Sequence, residues 1–314
     1  MKRRTITWCG LVLAASVASG SGIARNPAPT RPPLASVSHI AVYARDPARS
    51  ERFYVHDLGA VKRPDPEHPS GARYYFAPTQ FVEVLPLPPG HRSINRLAHV
   101  AFNTADADAM RRYLAAQGVR VPARLDRAAD GSRWFAVTDP EGTIVQFMQP
   151  PATPPAVSLN PLSSHVMHVG FIVHDRAKQD RFYRDVLGFR PYWEGGMRDD
   201  RPTWISLQLP DGRDWVEYMI VGTPGIQGIP RDMSAADLGV LNHFALGIPD
   251  ARAAYTLLWN GDRLAGQDQT PKIGRDAKWQ LNLLDPDGTR AELMEFHAIG
   301  KPCYSPFRAP DPER

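Results

Sequence analysis

Histidine and acidic side chains recur at corresponding places in the two halves of this 314-residue chain. The phrase DPEGTIVQFMQP at residues 139–150 returns as DPDGTRAELMEF at residues 285–296, with Gln146 of the first copy replaced by Glu292 in the second. Imidazole nitrogens and carboxylate oxygens are donors that hold catalytic divalent metals, and carboxylates also act as general bases. The residue types therefore indicate metal or acid–base chemistry, provided that the fold brings them together.

The elements that carry these residues are themselves repeated. SHIAVYARDPARSERFYVHDLGA at residues 38–60 aligns without gaps with MHVGFIVHDRAKQDRFYRDVLGF at residues 167–189, which matches His39 with His168. Each segment predicts a strand, a helix that begins after an aspartate, and a glycine that closes the helix.

A second unit follows in each half. AHVAFNTADADAMRRYLAAQG at residues 98–118 corresponds to NHFALGIPDARAAYTLLWNGD at residues 242–262, and each has a histidine, His99 or His243, in a strand before a helix. The helix leads to a strand, a tight Asp-Pro-acid-Gly turn and the phrase quoted above. Between the two units of each half, a further strand carries a central glutamate, in FVEVLPL and in WVEYMI.

These units predict an α+β protein of four modules, two in each half. The predicted division is a signal peptide over residues 1–24, a first domain over 35–150, a proline-rich linker over 151–164, a second domain over 165–298 and a tail over 299–314.

The first residues of the chain are typical of an export signal. MKRRTITWCGLVLAASVASGSGIA has a basic start, an apolar run and small residues where a peptidase could cut, and Arg3-Arg4 resembles a twin-arginine signal. The apolar run is too short for a permanent membrane span, so we expect a periplasmic or secreted protein with no stable membrane insertion after signal removal. Cys303 is then the one cysteine of the mature chain, and no disulfide within the chain is expected.

The charge distribution gives no reason to expect a nucleic acid partner. The formal net charge is +4, three basic residues (Lys2, Arg3 and Arg4) lie at the extreme N-terminus, and no basic run follows them. The expected partner is a small-molecule substrate, and the sequence is compatible with a homodimer.

The ordered repetition of these elements resembles the vicinal oxygen chelate (VOC) superfamily, which includes glyoxalase I, extradiol ring-cleaving dioxygenases and bleomycin-resistance proteins. The resemblance extends over nearly all of the chain after the signal. It implies that two βαβββ modules form an incomplete eight-stranded barrel around a divalent metal, so that four modules form two such barrels. It also implies that the ligands come from the first and last strands of each module.

Carried over residue by residue, the resemblance implies a metal site in the second half and a weaker one in the first. The implied second-half ligands are His168, Glu217, His243 and Glu292. The corresponding first-half residues are His39, Glu83, His99 and Gln146. Two neutral imidazoles and two carboxylates nearly neutralise a divalent cation and suit Fe, Mn, Zn, Ni or Co.

Strand alternation distinguishes neighbouring candidates. His165 and Glu295 are each an odd number of residues from the implied ligands His168 and Glu292, so they should face away from the metal. The second half is also rich in aromatic residues, some of which could line a pocket for a flat apolar ligand. The candidate catalytic residues are Glu292, Glu217, Asn282, Arg275 and Tyr218.

Three functional interpretations compete. The favoured one is Lewis-acid catalysis of proton transfer by a glyoxalase-like isomerase or lyase, because a four-ligand site leaves two adjacent positions that can chelate vicinal oxygens. A carboxylate ligand, Glu217 or Glu292, then serves as the base. The export signal disfavours the glutathione adduct that glyoxalase I uses, because that compound is chiefly cytosolic.

The alternative enzyme is an extradiol-type ring-cleaving dioxygenase, which needs three open metal positions and a triad of His168, His243 and Glu292. A fourth ligand at Glu217 leaves only two positions, and Asn282 stands where the extradiol signature has a tyrosine. The third interpretation is a non-catalytic small-molecule binder of the bleomycin-resistance type, which the complete set of ligand-type residues disfavours.

Overall fold

The computed structural model describes residues 29–91, 93–221, 241–264 and 266–313. The predicted signal peptide, residues 1–24, lies outside the described residues. No helix in the described ranges is long and apolar enough to cross a membrane.

The described residues of the first half form eight strands and two helices. The strands are β1 (Leu34–Ala44), β2 (Val61–Pro64), β3 (Ala72–Ala77), β4 (Gln80–Pro86), β5 (Leu97–Thr104), β6 (Asp126–Arg127), β7 (Arg133–Thr138) and β8 (Ile144–Gln149). The helices are α1 (Pro47–Glu51), which continues as a π-helical turn over Arg52–Asp57, and α2 (Ala107–Ala116).

The second half repeats this order. Its strands are β9 (Val166–Val173), β10 (Arg190–Gly195), β11 (Trp204–Gln208), β12 (Trp215–Ile220), β13 (His243–Ile248), β14 (Lys272–Ile273), β15 (Trp279–Leu284) and β16 (Arg290–Glu295). Its helices in the described ranges are α3 (Arg176–Asp180), which continues as a π-helical turn over Arg181–Val186, and α4 (Ala251–Asn260).

Each half forms one curled eight-stranded sheet. The strand orders are β2-β3-β4-β1-β5-β8-β7-β6 and β10-β11-β12-β9-β13-β16-β15-β14. In each sheet the first strands of the two modules pair antiparallel at the centre, and each pairs in parallel with the last strand of its own module. The prediction of four βαβββ modules forming two incomplete barrels is therefore confirmed.

Local chemistry sets the helix boundaries. An aspartate caps each helix by accepting backbone N–H groups of the first turn, as expected for a short side chain in extended conformation. The capping residues are Asp46, Asp106, Asp175 and Asp250. Gly59 and Gly188 follow the two π-helical turns with φ of 75° and 81°, a conformation that favours glycine.

The two domains share one hydrophobic core and are joined by equivalent polar contacts across it. The Tyr54 hydroxyl donates to Asp285 Oδ2 (2.9 Å), and the Tyr183 hydroxyl donates to Asp139 Oδ2 (3.2 Å). Gln179 Nε2 also donates to the same Asp139 oxygen at 2.8 Å. The aspartate of each repeated turn therefore links the two domains, in addition to closing the turn.

The C-terminal tail lies against the second sheet. Buried Lys278 donates from Nζ to Asp311 Oδ1 (2.7 Å) and to the carbonyl of Phe296 (2.5 Å). Phe307 packs on Tyr192, with ring centroids 4.9 Å apart. The Glu313 carbonyl also lies 3.0 Å from His165 Nδ1, so the tail contacts the second domain up to residue 313.

Candidate metal centre

Four donor groups converge inside the second barrel, one from each of the adjacent strands β12, β9, β13 and β16. His168 Nε2 lies 3.1 Å from His243 Nε2 and 3.4 Å from Glu292 Oε2. His243 Nε2 lies 3.3 Å from Glu217 Oε2. The structure therefore brings together all four residues that the resemblance implied as ligands in this half.

Strand register and two small residues make this convergence possible. Gly170 is the cross-strand partner of both Glu217 and His243, and Ala245 is the partner of both His168 and Glu292. A Cβ atom at Gly170 would lie 2.0 Å from His243 Cε1, which is closer than atoms can approach. Glycine at this position therefore gives the histidine ring its place in the cluster.

The orientation of each histidine suits metal binding. His243 Nδ1 donates to the carbonyl of Leu241 (2.9 Å), which leaves the Nε2 lone pair directed to the other donors. The His168 ring packs at a tilt against Trp215, with centroids 4.5 Å apart and 30° between the ring planes. His165 bonds to Asp214 (2.6 Å) outside the cluster, in agreement with strand alternation.

Burial and local charge separate the basicities of the four groups. Burial and the nearby Arg290 cation lower the pKa of His243 to about 3, and burial also lowers the pKa of His168. Burial alone would raise the pKa of Glu292, but Arg290 and the histidines outweigh it and hold this pKa at about 2. Burial raises the pKa of Glu217. Both imidazoles are thus neutral donors at neutral pH, and Glu292 is a permanent anion.

A cavity of about 290 Å³ opens onto this cluster. Glu217 and Glu292 form its floor together with Arg290 and Asp276, whose pKa is raised to about 7 by burial and by the Glu292 charge. The apolar lining consists of Trp193, Met197, Trp204, Met219, Ile273 and Met294. A small ligand with polar oxygens at one end and a flat or apolar remainder would fit this lining.

Of the other candidate catalytic residues, Asn282 and Arg275 line the cavity and Tyr218 does not. Asn282 lies in the cavity as the cross-strand partner of Glu292, and its Oδ1 is buried without a hydrogen-bond partner. Arg275 lies at the cavity edge, where it donates to the carbonyl of Gly196 (3.1 Å). Tyr218 is not brought to the site. It follows Glu217 in the strand, so it faces the opposite side and is fully buried against Phe171 and Tyr183.

Three charged residues of the cavity, Arg290, Asp276 and Lys272, were missed by the sequence interpretation. Arg290 Nη1 lies 3.6 Å from Glu292 Oε1, and Arg290 Nε is buried without a hydrogen-bond partner. The signal was present, since Arg290 stands two residues before Glu292 and alternate residues of a strand share a face. Asp276 lies in the loop before β15 and belongs to no repeated segment, so no sequence signal singled it out.

The first barrel holds a related cluster. His39 Nε2 lies 2.8 Å from His99 Nε2, and His99 Nε2 lies 3.5 Å from Glu83 Oε2. Gln146 is turned to another partner, since its Nε2 donates to Glu67 Oε2 at 2.7 Å. Two equivalent triads could hold a metal ion, His39, Glu83 and His99 in the first barrel and His168, Glu217 and His243 in the second. The fourth position differs, because Glu292 lies 3.4 Å from His168 whereas Gln146 bonds to Glu67.

Sequence comparison identifies the family of the protein. Residues 36–147 and 165–293 each match the Glyoxalase/Bleomycin resistance protein/Dioxygenase superfamily. The two segments together make up more than half of the chain, so the protein belongs to this family, as the repeat pattern predicted. A comparison with curated protein sequences finds no match.

Solved structures of similar fold include dioxygenases. The 2,2',3-trihydroxybiphenyl 1,2-dioxygenase from Sphingomonas wittichii is 18% identical with a TM-score of 0.61, over 83% of this chain and 90% of the other. Homoprotocatechuate 2,3-dioxygenase from Brevibacterium fuscum, in complex with 3,4-dihydroxyphenylacetate, is 16% identical with a TM-score of 0.61, over 89% of this chain and 86% of the other. At these identities the likeness demonstrates a shared fold.

Proposed function

We propose that the protein is an exported enzyme that holds a divalent metal in its second barrel and catalyses proton transfer on a small substrate with vicinal oxygens. The observation that supports this proposal is the placement of Glu217 as a fourth donor beside His168, His243 and Glu292. Four protein ligands leave two adjacent positions of an octahedron, which suits chelation of two neighbouring oxygens. The donor chemistry fits Fe, Mn, Zn, Ni or Co.

A bound metal ion would polarise the substrate oxygens as a Lewis acid. The residues of the chain supply the remaining parts of the reaction. Glu217 lies at the cavity floor, where its carboxylate can take the proton from the carbon next to the substrate carbonyl and return it to the neighbouring carbon. The electron pair of the broken C–H bond becomes a C=C bond, and the π pair of the carbonyl moves to its oxygen, which takes up the proton that the neighbouring hydroxyl gives up. Arg290 lines the same cavity and offers a fixed positive charge there.

The cavity lining sets the class of substrate. Trp193 and Trp204 offer flat apolar surfaces, and the cavity of about 290 Å³ limits the ligand to a small molecule. The cavity has three basic side chains, Arg290, Arg275 and Lys272, against three carboxyl groups. A bound divalent cation would make the charge of the site positive, which favours a substrate that carries oxygens of partial or full negative charge.

The second candidate function is extradiol-type dioxygenation, which the dioxygenases of similar fold favour. The described lining residues of the cavity include no histidine or tyrosine that could assist oxygen chemistry, and Asn282 takes the place of the signature tyrosine. A non-catalytic binder is the third candidate, and the assembled donor cluster is the feature that disfavours it.

Metal content and hydrogen exchange test these candidates. The protein without its predicted signal would be stripped with a chelator, reloaded with Zn²⁺, Ni²⁺, Co²⁺, Mn²⁺ or Fe²⁺ and analysed for metal, with Glu292→Gln as the comparison. We expect metal retention in the wild type and its loss in Glu292→Gln. Absence of metal from the wild type under every condition would contradict the proposal and favour the binder.

The reaction class needs a separate readout. We expect the loaded protein to exchange the carbon-bound hydrogen of small α-hydroxyketones with deuterium oxide without oxygen, as followed by proton NMR. Glu217→Gln should lose this exchange. Oxygen uptake with catechols by the Fe²⁺ or Mn²⁺ form, without any deuterium exchange, would establish the dioxygenase instead.

Export is a separate part of the proposal and is supported by the signal-like segment over residues 1–24. A fusion of this segment to a reporter should appear in the periplasm or medium of a bacterial host. A lysine pair in place of Arg3-Arg4 would reveal whether the twin-arginine route is used.

A further inference from the structure

A positively charged side chain lies against the donor cluster of the first barrel, in contact with Glu83. Arg73 projects from β3, and its side chain is only 3% exposed. Its Nε lies 3.2 Å from Asp65 Oδ1 and 3.4 Å from Glu83 Oε1, and its Nη2 lies 2.5 Å from Glu67 Oε1. Three buried carboxylates therefore surround one guanidinium.

The second barrel has a neutral residue at the equivalent place. Arg73 is the cross-strand partner of Glu83, and Ser206 is the cross-strand partner of Glu217. The surroundings correspond as well, because an aromatic ring lies beside the first histidine of each cluster, Phe81 stacked on His39 and Trp215 tilted against His168. The guanidinium of Arg73 also lies over Phe81, 4.6 Å from the ring centroid, which fixes it against the histidine side of the cluster.

The arginine and the glutamine of the first barrel belong to one network. Glu67 accepts from Arg73 with Oε1 and from Gln146 with Oε2. A glutamate in place of Gln146 would set a second carboxylate against Glu67 at about 2.7 Å. With only one guanidinium present, a fourth buried carboxylate would remain without a counter-charge.

We propose that Arg73 prevents the donor cluster of the first barrel from binding a divalent metal ion. The Arg73 guanidinium takes the place next to Glu83 that a divalent cation would take, and the neutral Gln146 keeps a fourth carboxylate out of a cluster that already has three around one guanidinium. A divalent ion beside Glu83 would lie next to this fixed positive charge, which opposes its binding. The inference concerns metal binding only and does not depend on the reaction proposed for the second barrel.

Counting cobalt ions per chain tests this inference. Wild type, Arg73→Ser, Gln146→Glu and the double variant would be stripped, loaded with Co²⁺, desalted and analysed for cobalt, with visible spectra of the bound ion. We expect the double variant to hold one cobalt ion per chain more than the wild type, and Gln146→Glu alone to gain none. Arg63→Ser is the matched control, because Arg63 lies opposite Arg73 on the neighbouring strand yet contacts only the carbonyl of Ala156 among the bonds described.

Each outcome bears on the inference. A folded double variant with no additional ion, or a gain in Gln146→Glu alone, would overturn it. If the wild type holds no cobalt, the proposed function of the second barrel fails, while an added ion in the double variant still supports the inference.

A second variant covers the case in which removal of Arg73 prevents folding. His39→Asn in the wild-type background should leave the cobalt content unchanged, because the first barrel holds no ion. A loss of one cobalt ion in His39→Asn would show that the first site is occupied despite Arg73, and the inference would be wrong.

Discussion

Replacement of Gly170 by alanine should disable the metal centre without unfolding the protein. The new Cβ atom would lie 2.0 Å from His243 Cε1, and ordinary van der Waals contact begins near 3.4 Å. The imidazole, or the strand that carries it, must therefore move by about 1.4 Å. Metal–ligand bonds tolerate deviations of only about 0.2 Å, so His243 would no longer bind with the other three donors.

The size of the effect follows from what is lost. Changes to groups that merely orient a ligand weaken metal binding by about 10–100-fold, so displacement of a ligand itself should cost at least about 100-fold. The overpacking should also lower the free energy of unfolding by about 1–3 kcal/mol. The first barrel has Ala41 at this position and its histidine Nε2 atoms still lie 2.8 Å apart, so the His99 ring passes the alanine Cβ in a different position from the one that the His243 ring occupies beside Gly170.

Titration of the chelator-stripped protein with Co²⁺, followed by visible absorption, measures the affinity. Gly247→Ala is the matched control, because its Cβ would strike Phe296 (2.5 Å) and Met167 (2.9 Å), neither of them a ligand. Gly247→Ala should lose stability and keep its cobalt affinity. Gly300→Ala, with no atom within 4 Å of the new Cβ, should change neither. An unchanged cobalt affinity in folded Gly170→Ala would refute the proposed role of His243.

Three further predictions concern the contacts that hold the domains and the tail. Tyr54→Phe should lower the free energy of unfolding by about 1–3 kcal/mol in urea titrations, because it leaves Asp285 Oδ2 without its hydrogen-bond donor. Tyr183→Phe should lower it by less, because Gln179 still donates a hydrogen bond to the equivalent Asp139 oxygen. Burial raises the pKa of Asp285 to about 6 in the folded protein, against about 4 in the unfolded chain. Protonation of Asp285 therefore contributes its full stabilisation below about pH 4, and this contribution is lost as the pH rises through about 6. The stability advantage of wild type over Asp285→Asn should therefore shrink by up to about 3 kcal/mol between pH 4 and 6. Lys278→Met should release the tail and raise the rate of carboxypeptidase digestion several-fold, because the tail loses its buried cation.

Controls and contrary results for these three are direct. If both tyrosine variants lose the same free energy of unfolding, the hydrogen bond from Gln179 does not compensate for the loss of the Tyr183 hydroxyl at Asp139. A constant stability difference between pH 4 and 6 would mean that Asp285 titrates as it does in the unfolded chain. Lys301 is exposed, so Lys301→Met should leave the digestion rate unchanged. If Lys278→Met is digested as slowly as the wild type, the contact of Phe307 with Tyr192 holds the tail instead.

The repeated segments predicted the architecture because each contains the short-range signals that begin and end its own helix and strands. An aspartate before each helix, a glycine after it and an apolar strand on each side are short-range signals, and their recurrence in the same order establishes four modules. The family resemblance that rests on this recurrence implied His168, Glu217, His243 and Glu292 as ligands, and the structure brings the four side chains together. Arg290 could also have been predicted, since it shares a strand face with Glu292.

The sequence interpretation failed where a residue depended on contacts between distant segments. Tyr218 was chosen for its type, but its place beside Glu217 in the strand turns it into the shared core. The turn aspartates Asp139 and Asp285 were understood only as turn formers, because their tyrosine partners lie in the other domain.

The sequence by itself therefore determined the modules, the family and the candidate ligands, since these depend on spacing along the chain. Only the tertiary structure decided that the two donor clusters differ in charge. Arg73 lies outside every aligned motif, and its effect arises from Asp65, Glu67 and Glu83, which the curled sheet brings around it. Electrostatic balance at a buried site depends on distances in space, and spacing in the sequence does not specify those distances.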